Sequence, residues 1–250
     1  MGVLDGKVAI VTGGGRGIGS RYCRGLAQEG ARVMVADINE AGARQVASEI
    51  AGASSTRVDV SDQTSVEQMV ATTMNTFGRV DILVNNAAMF TELIRPRKPF
   101  DEIAVDEWDR VMAVNVRGTW LCAKAVAPHF KRQRSGVIIN ISSGTIFNGT
   151  EGFAHYVTSK AAVWGMARVL ARELGEYGVR VNSITPGLTS SEMVQEVYPA
   201  EWITARAQGR VFRREEAPED LVGTVVFLCS DASAFITGQT LNVDGGANFH

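Results

Sequence analysis

Short, mostly apolar runs alternate with longer amphipathic stretches along the chain, and this alternation constrains the fold more than any other feature of the sequence. Several of the runs are continuous stretches of Val, Ile and Leu, as is typical of strands that are covered on both faces. Strands are predicted at 8–11, 33–36, 56–58, 82–84, 137–141, 179–184 and 240–243.

Helices are predicted between these strands, at 17–29, 39–50, 62–77, 105–131, 154–177 and 217–229. Seven strands that alternate with six helices predict an α/β fold, with a doubly wound, seven-stranded, mostly parallel sheet and helices on both faces. Neither an internal repeat nor a linker divides the sequence, so residues 1–250 are expected to form a single domain.

Charge and composition argue against several classes of function. The 250 residues carry a formal net charge of −2, which gives no electrostatic argument for binding nucleic acid or an anionic membrane surface. No apolar run approaches the roughly 20 residues of a membrane span. No positively charged leader precedes an apolar core at the N-terminus, so a cytoplasmic protein is expected.

The cysteines and histidines indicate neither disulfides nor a metal site. Cys23, Cys122 and Cys229 lie far apart among apolar residues, so we expect buried free thiols in a reducing compartment. The three histidines are scattered and match no metal-ligand spacing, so no bound metal is expected.

Glycines are concentrated directly after the first predicted strand, in the stretch TGGGRGIG at 12–19. Gly13, Gly17 and Gly19 have the spacing G-x3-G-x-G. Glycines let a backbone approach a pyrophosphate, and the N-terminus of the following helix offers free N–H groups with a partial positive charge. With a strand before it and a helix after it, the cluster favours a dinucleotide site in a Rossmann-type fold over an ordinary turn.

Asp37, at the end of the second predicted strand, bears on the choice of cofactor. A carboxylate there can accept hydrogen bonds from the adenosine ribose hydroxyls and repels a 2′-phosphate, which favours NAD over NADP. Arg16 points to the opposite choice, because a guanidinium beside the glycine loop could pair with a 2′-phosphate. Asp37 could also be the N-cap of the helix at 39–50.

Tyr156 and Lys160 lie four residues apart in a predicted helix, and therefore on one face of it. They could form an ordinary surface pair or the proton-handling half of an active site. Ser142 and Ser143 follow the neighbouring strand at 137–141 and should point to opposite sides, so only one of them would face such a site. The residues alone leave both serines open.

The ordered set of motifs resembles the short-chain dehydrogenase/reductase family over essentially the whole chain. The motifs that carry the resemblance are TGGGRGIG at 12–19, Asp59-Val60, Asn85-Asn86-Ala87-Ala88, Asn115, Ser143, Tyr156-x-x-x-Lys160, Pro186-Gly187 and ITGQTLNVDGG at 236–246.

The resemblance implies roles for individual residues. It selects Ser143 over Ser142 through the family spacing to the tyrosine, and it implies the catalytic set Ser143, Tyr156, Lys160 and Asn115. The cofactor-binding residues that it implies are Gly13, Arg16, Gly17, Ile18, Gly19, Asp37, Asp59, Val60, Asn86, Ala87, Ala88, Tyr156, Lys160, Pro186, Gly187 and Thr189.

The chemistry implied by this set is proton transfer coupled to hydride transfer. A free phenol has a pKa near 10, and Lys160 together with the charge of the bound cofactor is expected to lower the pKa of Tyr156 by about 2–3 units so that it acts as general acid and base. Ser143 would hold the substrate oxygen. By resemblance, Lys160 would also bind the nicotinamide ribose, Asn115 would anchor a water that links Lys160 to solvent, and Thr189 would contact the carboxamide.

The segment at about 188–215 is expected to form a substrate lid, with a subunit contact as the alternative. Its Met and Trp side chains favour a hydrophobic or aromatic secondary alcohol or ketone over a sugar, while Arg95 and Arg97 leave a carboxylate-bearing substrate open. Further side chains that could line the pocket are Phe90, Leu93, Ile146, Phe147, Phe153 and Trp202.

Three functions compete at this stage. The first is an NAD(H)-dependent oxidoreductase for a small-molecule alcohol or ketone. The second is an NADPH-dependent 3-oxoacyl-[acyl-carrier-protein] reductase, against which Asp37 argues. The third is a non-catalytic dinucleotide-binding regulator, which needs no proton relay. Apolar residues on several faces of the helices at 105–131 and 154–177 predict association, and the resemblance implies a homotetramer.

Overall fold

A computed structural model describes residues 2–90, 93 and 97–249. Arg95 and His250 therefore lie outside the described residues. Within them, seven parallel strands form one sheet in the order β3-β2-β1-β4-β5-β6-β7. The strands are β1 Val8–Thr12, β2 Arg32–Asp37, β3 Ser54–Arg57, β4 Ile82–Asn85, β5 Gly136–Ile141, β6 Val179–Pro186 and β7 Thr240–Val243. The predicted fold class is confirmed, and the sheet is wholly parallel.

The predicted helices are present, with one interruption and three short additions. The segment predicted as one helix at 105–131 contains a π-helical turn, Ala113–Gly118, which divides it into α4 and α5. The α-helices are α1 Gly17–Gln28, α2 Glu40–Ser48, α3 Gln63–Phe77, α4 Val105–Met112, α5 Thr119–Gln133, α6 Thr145–Asn148, α7 Ala154–Leu174, α8 Glu192–Gln195, α9 Ala200–Ala207 and α10 Glu219–Cys229. Short 3-10 turns occupy Phe100–Glu102, Gly175–Tyr177 and Asp231–Ser233.

Helices cover both faces of the sheet, which explains the continuous apolar strands. Ala9 and Val11 of β1 pack in one core with side chains of α1, α2 and α10. Ile10, between them, packs in the opposite core with side chains of α3, α5 and α7. Because successive strand residues point to opposite faces, a strand buried on both sides must be apolar at every position.

The order of the sheet determines where a ligand can bind. β1 lies between β2 and β4, so the chain winds outward in both directions from the β1–β4 pair. At such a switch point the connections that follow the two strands diverge and leave a crevice at their carboxyl ends. The loops after β1, β4, β5 and β6, together with the first turn of α1, carry most of the predicted site residues.

The other sequence-based expectations concern the thiols and the membrane. Cys23, Cys122 and Cys229 are free and buried, as predicted. Across the described ranges, no helix is both long enough and apolar enough to cross a membrane.

Candidate active site

A cleft of about 680 Å³ opens at the carboxyl ends of the strands. All the predicted site residues line it except Gly17 and Asn115. One cavity thus joins the glycine loop after β1 to the face of α7 that carries Tyr156. Its size suits an extended ligand together with a second, smaller molecule.

The loop after β1 forms a cradle that only glycine permits at its critical positions. Gly17 has a φ of +54°, a backbone conformation that favours glycine, so it shapes the turn without lining the cleft. A Cβ on Gly19 would lie 2.0 Å from the carbonyl oxygen of Gly13. The closeness of the two backbone segments leaves the N-terminus of α1 open towards the cleft.

Thr12 and Asn86 fix this loop to the end of β4. The Thr12 hydroxyl accepts hydrogen bonds from the backbone N–H groups of Asn86 and Ala87, at 3.1 and 3.2 Å. The Asn86 amide donates to the carbonyl oxygens of Thr12 and Gly13, at 3.0 and 3.1 Å. Asn86 therefore lines the cleft but uses its amide to hold the loop. Thr12 was not predicted as a site residue, although it opens the glycine motif.

Asp37 lies where the sequence predicts it, with its carboxylate at the cleft beyond β2. The carboxylate accepts hydrogen bonds from the backbone N–H groups of Gly15 and Asn39, both at 2.9 Å. The alternative that Asp37 is the N-cap of α2 is wrong, because Asn39 has that role and accepts from Gly42 N–H at 3.2 Å. Asp37 thus presents a fixed negative charge, whereas Arg16 is exposed.

Asp59 and Val60 line the cleft beyond β3. The Asp59 carboxylate accepts from the backbone N–H and the hydroxyl of Ser61, at 2.9 and 2.7 Å. The Ser65 hydroxyl accepts a hydrogen bond from the backbone N–H of Asp59 at 3.0 Å. This loop is held by its own hydrogen bonds.

Tyr156 and Lys160 share one face of α7, as predicted. The Lys160 Nζ lies 5.7 Å from the centroid of the Tyr156 ring and donates to the carbonyl oxygen of Ile141 at 2.8 Å. Ser142 and Ser143 both line the cleft, so the expectation that only one of them would face it is wrong, but the Ser142 hydroxyl is occupied by a hydrogen bond of 2.7 Å to the Lys160 carbonyl. The Ser143 hydroxyl instead lies beside the phenol, and it accepts hydrogen bonds from Thr145.

The electrostatics of this pair differ from the expectation. Burial raises the pKa of Tyr156 to about 12, while the neighbouring Ser143 hydroxyl acts in the lowering direction. Burial also lowers the pKa of Lys160 to about 8. Lys160 does not lower the pKa of the phenol here, because desolvation disfavours the charged form of both groups; the part of the lowering that was expected from the charge of a bound cofactor stays a prediction.

Asn115 lies in the π-helical turn and supports α7 from behind. Its Oδ1 accepts from the backbone N–H of Met89 at 2.8 Å, and its Nδ2 donates to Ser159 at 3.0 Å. The Ser159 hydroxyl donates in turn to the carbonyl oxygen of Tyr156 at 2.7 Å. Asn115 thus joins the loop after β4 to the turn that carries the tyrosine. Ser159 was not predicted to take part.

His155 is buried and lies outside the cleft lining. Its Nδ1 accepts the N–H of Tyr156 at 2.9 Å, which assigns the ring proton to Nε2. The Nε2 lies 3.1 Å from a carboxylate oxygen of Glu107, which also pairs with Lys98. This chain of contacts attaches the start of α7 to α4.

Comparison with known proteins agrees with this geometry. A family model described as Enoyl-(Acyl carrier protein) reductase matches residues 13–248. Short chain dehydrogenase/reductase astE of Aspergillus oryzae is 36% identical over 252 residues, covering 97% of this chain and 95% of the relative.

The chain belongs to the short-chain dehydrogenase/reductase family. It is therefore an oxidoreductase of the class that acts on CH–OH groups. A 3-oxoacyl-[acyl-carrier-protein] reductase of Synechocystis sp. is 38% identical over 252 residues and 98% of each chain. The crystal structure of a 3-ketoacyl-(acyl-carrier-protein) reductase from Brucella melitensis, complexed with NADH, has a TM-score of 0.91 and 32% identity, covering 98% of this chain and 100% of that one.

In the present chain, aromatic side chains surround the end of the cleft that lies away from the glycine loop. The ring centroids of Phe90 and Phe153 lie 5.3 and 5.7 Å from that of Tyr156. Tyr198, before α9, and Trp202, within it, stack with ring centroids 4.0 Å apart and 8° between the rings. Of the predicted pocket residues, Phe90, Phe153 and Trp202 line the cleft. The prediction was wrong for Leu93, Ile146 and Phe147, which do not line it.

Thr189, beyond β6, is held by a buried carboxyl group. Its hydroxyl donates to Glu216 Oε1 at 2.8 Å, and an Arg210 nitrogen lies 3.6 Å from the other carboxyl oxygen. Burial raises the pKa of Glu216 to about 7, against the opposing effects of Thr189 and Arg210. Glu216 lies outside the family motifs, so no pattern in the sequence selects it.

In the described part of the chain, no group of three or more His, Cys, Asp or Glu side chains is arranged to hold a metal ion.

Proposed function

We propose that this protein is an NAD(H)-dependent oxidoreductase that interconverts a secondary alcohol and a ketone on a hydrophobic or aromatic substrate. The position of Tyr156 carries the proposal: its buried phenol shares one cleft with the glycine loop, with Ser143 beside it and Lys160 one helical turn along. A regulator that only bound a dinucleotide would need the glycine loop but no proton donor, so this arrangement favours an enzyme.

The cleft fits a nicotinamide dinucleotide. The glycine loop would receive the pyrophosphate, because a side chain at Gly19 would collide with the backbone of Gly13. Asp37 would accept hydrogen bonds from the adenosine ribose, and its fixed charge opposes a 2′-phosphate. The NADH in the related reductase from Brucella melitensis supports the same choice. The rest of the dinucleotide site would be lined by Asp59, Val60, Asn86, Ala87, Ala88, Pro186, Gly187 and Thr189.

Tyr156 would move the proton. The bound dinucleotide supplies the nicotinamide carbon that exchanges hydride with the substrate carbon. With a pKa of about 12, the phenol is protonated at neutral pH and suits donation to the substrate oxygen during ketone reduction. In the oxidative direction it would first have to lose its own proton.

Ser143 and Lys160 would assist from either side of the phenol. Ser143 accepts two hydrogen bonds from Thr145, so its own proton can be donated, to the phenol as it stands and to the substrate oxygen when a substrate is bound. Lys160, with its pKa lowered to about 8, can exchange a proton close to neutral pH and so return one to Tyr156. By family resemblance, Lys160 would also bind the nicotinamide ribose, and Thr189 the carboxamide.

The segment at 188–215 would act as the lid of a single domain that comprises residues 1–250. Its short helices α8 and α9 carry Met193 and Trp202 to the cleft. Glu192 of α8 pairs with Arg21 of α1 at 3.0 Å. An ion pair between exposed side chains is weak, so it would hold the lid without preventing its opening.

Association as a homotetramer in the cytoplasm completes the proposal. Trp120 on α5 and Val169 on α7 are 44% and 54% exposed in the single chain. Both lie on the helices that the family resemblance assigns to subunit contacts. Phe235, after α10, is fully exposed and would belong to the second contact. Apolar side chains of this size favour burial between subunits.

A 3-oxoacyl-[acyl-carrier-protein] reductase is the second candidate. The relatives of that name from Synechocystis sp. and Brucella melitensis support it. The fixed carboxylate of Asp37 argues against the NADPH dependence that we attach to this alternative.

A substrate screen would test the proposal. Purified protein would be mixed with NAD or NADP and a panel of secondary alcohols, or with NADH or NADPH and the matching ketones, while the absorbance of reduced nicotinamide is followed. We expect turnover of aromatic and long-chain substrates with preference for NAD(H). Dinucleotide binding without any turnover would favour the regulator, and faster NADPH-dependent reduction of 3-oxoacyl thioesters would favour the second candidate.

A further inference from the structure

We propose that the substrate carries a carboxylate, and that Arg97 binds it at the aromatic end of the cleft. The inference rests on the proposed oxidoreductase function and specifies its substrate as an aromatic or similarly apolar keto acid, or the matching hydroxy acid.

Two aromatic rings hold the guanidinium of Arg97 in place. Its carbon lies 4.5 Å from the ring centroid of Phe153 and 5.9 Å from that of Tyr198. One of its nitrogens donates to the Tyr198 hydroxyl at 2.8 Å. A planar guanidinium that is stacked in this way loses little further conformational entropy when it binds a carboxylate.

The charge of Arg97 lacks a counterion within the described ranges. No acidic side chain there forms an ion pair with it. Its polar contacts are the Tyr198 hydroxyl and, at 3.5 Å, the carbonyl oxygen of Glu151. Because a guanidinium has five N–H donors, most of its hydrogen-bonding capacity remains for a ligand.

The distribution of charge along the cleft also favours an anionic substrate at this end. The acidic residues among its described lining are Asp37 and Asp59, which follow β2 and β3 at the end assigned to adenosine. Beyond the glycine loop, the charged lining residues are Arg97, Lys160, Arg206 and Arg210, and of these Arg210 is paired with Glu216. A cleft that is positive at this end attracts an anionic substrate and repels a cationic one.

The distance to the reacting group limits the length of the substrate. The Phe153 centroid lies 4.5 Å from the Arg97 guanidinium carbon and 5.7 Å from the Tyr156 centroid, so the guanidinium carbon and the centroid of the phenol ring are at most about 10 Å apart. A benzene ring between the carbonyl and carboxylate groups can span such a gap. Phe90 and Phe153 would pack against that ring.

A measurement of equilibrium binding tests the carboxylate site without requiring turnover. Protein saturated with NAD, which cannot reduce a ketone, would be titrated calorimetrically with 4-acetylbenzoate, 3-acetylbenzoate and their methyl esters. We expect at least one acid to bind at least tenfold more tightly than its ester, with an advantage that declines as salt is added. Arg97→Met should abolish the advantage, and Arg97→Lys should retain part of it.

Two further arginine variants provide controls. Arg168 stacks on Trp164 at 3.9 Å outside the cleft lining, so Arg168→Met should retain the full preference for the acid. Loss of the preference in Arg206→Met, with Arg97→Met unchanged, would overturn the assignment to Arg97. If Arg97→Met fails to fold, the comparison of acid and ester on the wild type and Arg97→Lys decides.

Turnover of the same compounds distinguishes the two proposals. Equal affinity of the wild type for both acids and their esters, or no measurable binding of any, overturns the carboxylate site even if neutral ketones are reduced. Selective binding of an acid with no hydride transfer to any ketone supports the site and contradicts the proposed function.

Discussion

The side chain of Lys160 donates a hydrogen bond of 2.8 Å to the carbonyl of Ile141, and the carbonyl of Lys160 accepts one of 2.7 Å from Ser142. These two bonds join the end of β5 to the middle of α7 in both directions. They occupy the Ser142 hydroxyl and leave that of Ser143 beside Tyr156. The hydroxyl that is available at the cleft is thus determined by the attachment of β5 to the helix.

Replacement of Tyr156 by Phe tests the proton donor directly. We expect turnover to fall by a factor of about 10²–10⁴, the usual contribution of a positioned general acid. NADH binding should change little, because the ring and its packing against Phe90 and Phe153 are retained. Initial rates and a fluorescence titration of NADH would measure the two effects.

Tyr198→Phe is the matched control, since it removes another phenolic hydroxyl at the same cleft. It should leave the turnover number within about tenfold of the wild type on a neutral ketone, since proton transfer does not involve Tyr198 in our proposal. Near-normal turnover of Tyr156→Phe would contradict the mechanism.

Replacement of Asp37 by Ala should relax the discrimination against NADP. The variant loses a carboxylate that accepts two backbone hydrogen bonds and repels a 2′-phosphate. We expect the ratio of kcat/KM for NAD over NADP to fall by about tenfold or more, equivalent to about 1.4 kcal/mol.

Arg16→Ala should change that ratio in the opposite direction, since its guanidinium is the group that could favour the phosphate. A wild-type enzyme that already prefers NADPH would show that the reading of Asp37 is wrong. Steady-state kinetics with both cofactors would measure all three proteins.

The sequence predicted the fold because its signals are local. Uninterrupted apolar runs such as that of β1 identify strands covered on two faces, and the glycine loop identifies the switch point. Spacing alone left Ser142 and Ser143 open, because alternation shows that two neighbours diverge without showing which one faces the cleft.

Features that depend on burial or on contacts between distant residues could not be predicted from the sequence. The pKa values of Tyr156 and Lys160 follow from desolvation, which the i,i+4 spacing does not reveal. Ser159 and Glu216 take part through partners 44 and 27 residues away in the chain. Glu216 lies in no motif, and Ser159 occupies a position that the motif Tyr156-x-x-x-Lys160 leaves unspecified.

Replacement of Asn115 by Ala should destabilise the protein. It would remove the acceptor for the Met89 N–H and the donor to Ser159, both in a buried region. We expect a loss of about 1–3 kcal/mol in the free energy of unfolding, typical of a buried polar group left unpaired. Urea denaturation would measure the loss, and Asn75→Ala on the exposed face of α3 should change stability by less than about 0.5 kcal/mol. Equal effects of the two substitutions would contradict the supporting role of Asn115.

Replacement of Glu216 by Gln should alter how stability depends on pH. The pKa of this carboxyl is raised from 4.5 to about 7 in the folded protein, so between these values the folded state holds a proton that the unfolded state has released. The stabilisation is complete below pH 4.5 and is lost as the pH rises to about 7.

Glu216→Gln stays neutral at every pH, and its amide oxygen can still accept the Thr189 hydroxyl. Relative to this variant, the wild type should lose stability between pH 5 and pH 8, by roughly 3 kcal/mol at most at 1.36 per pKa unit. Urea denaturation at the two pH values would measure the difference, and Glu201→Gln, at an exposed site on α9, should follow the wild type. Parallel pH dependence in the wild type and Glu216→Gln would mean that the buried carboxyl is already ionised at pH 5. Its charge would then be held by Arg210, and burial would not control its titration.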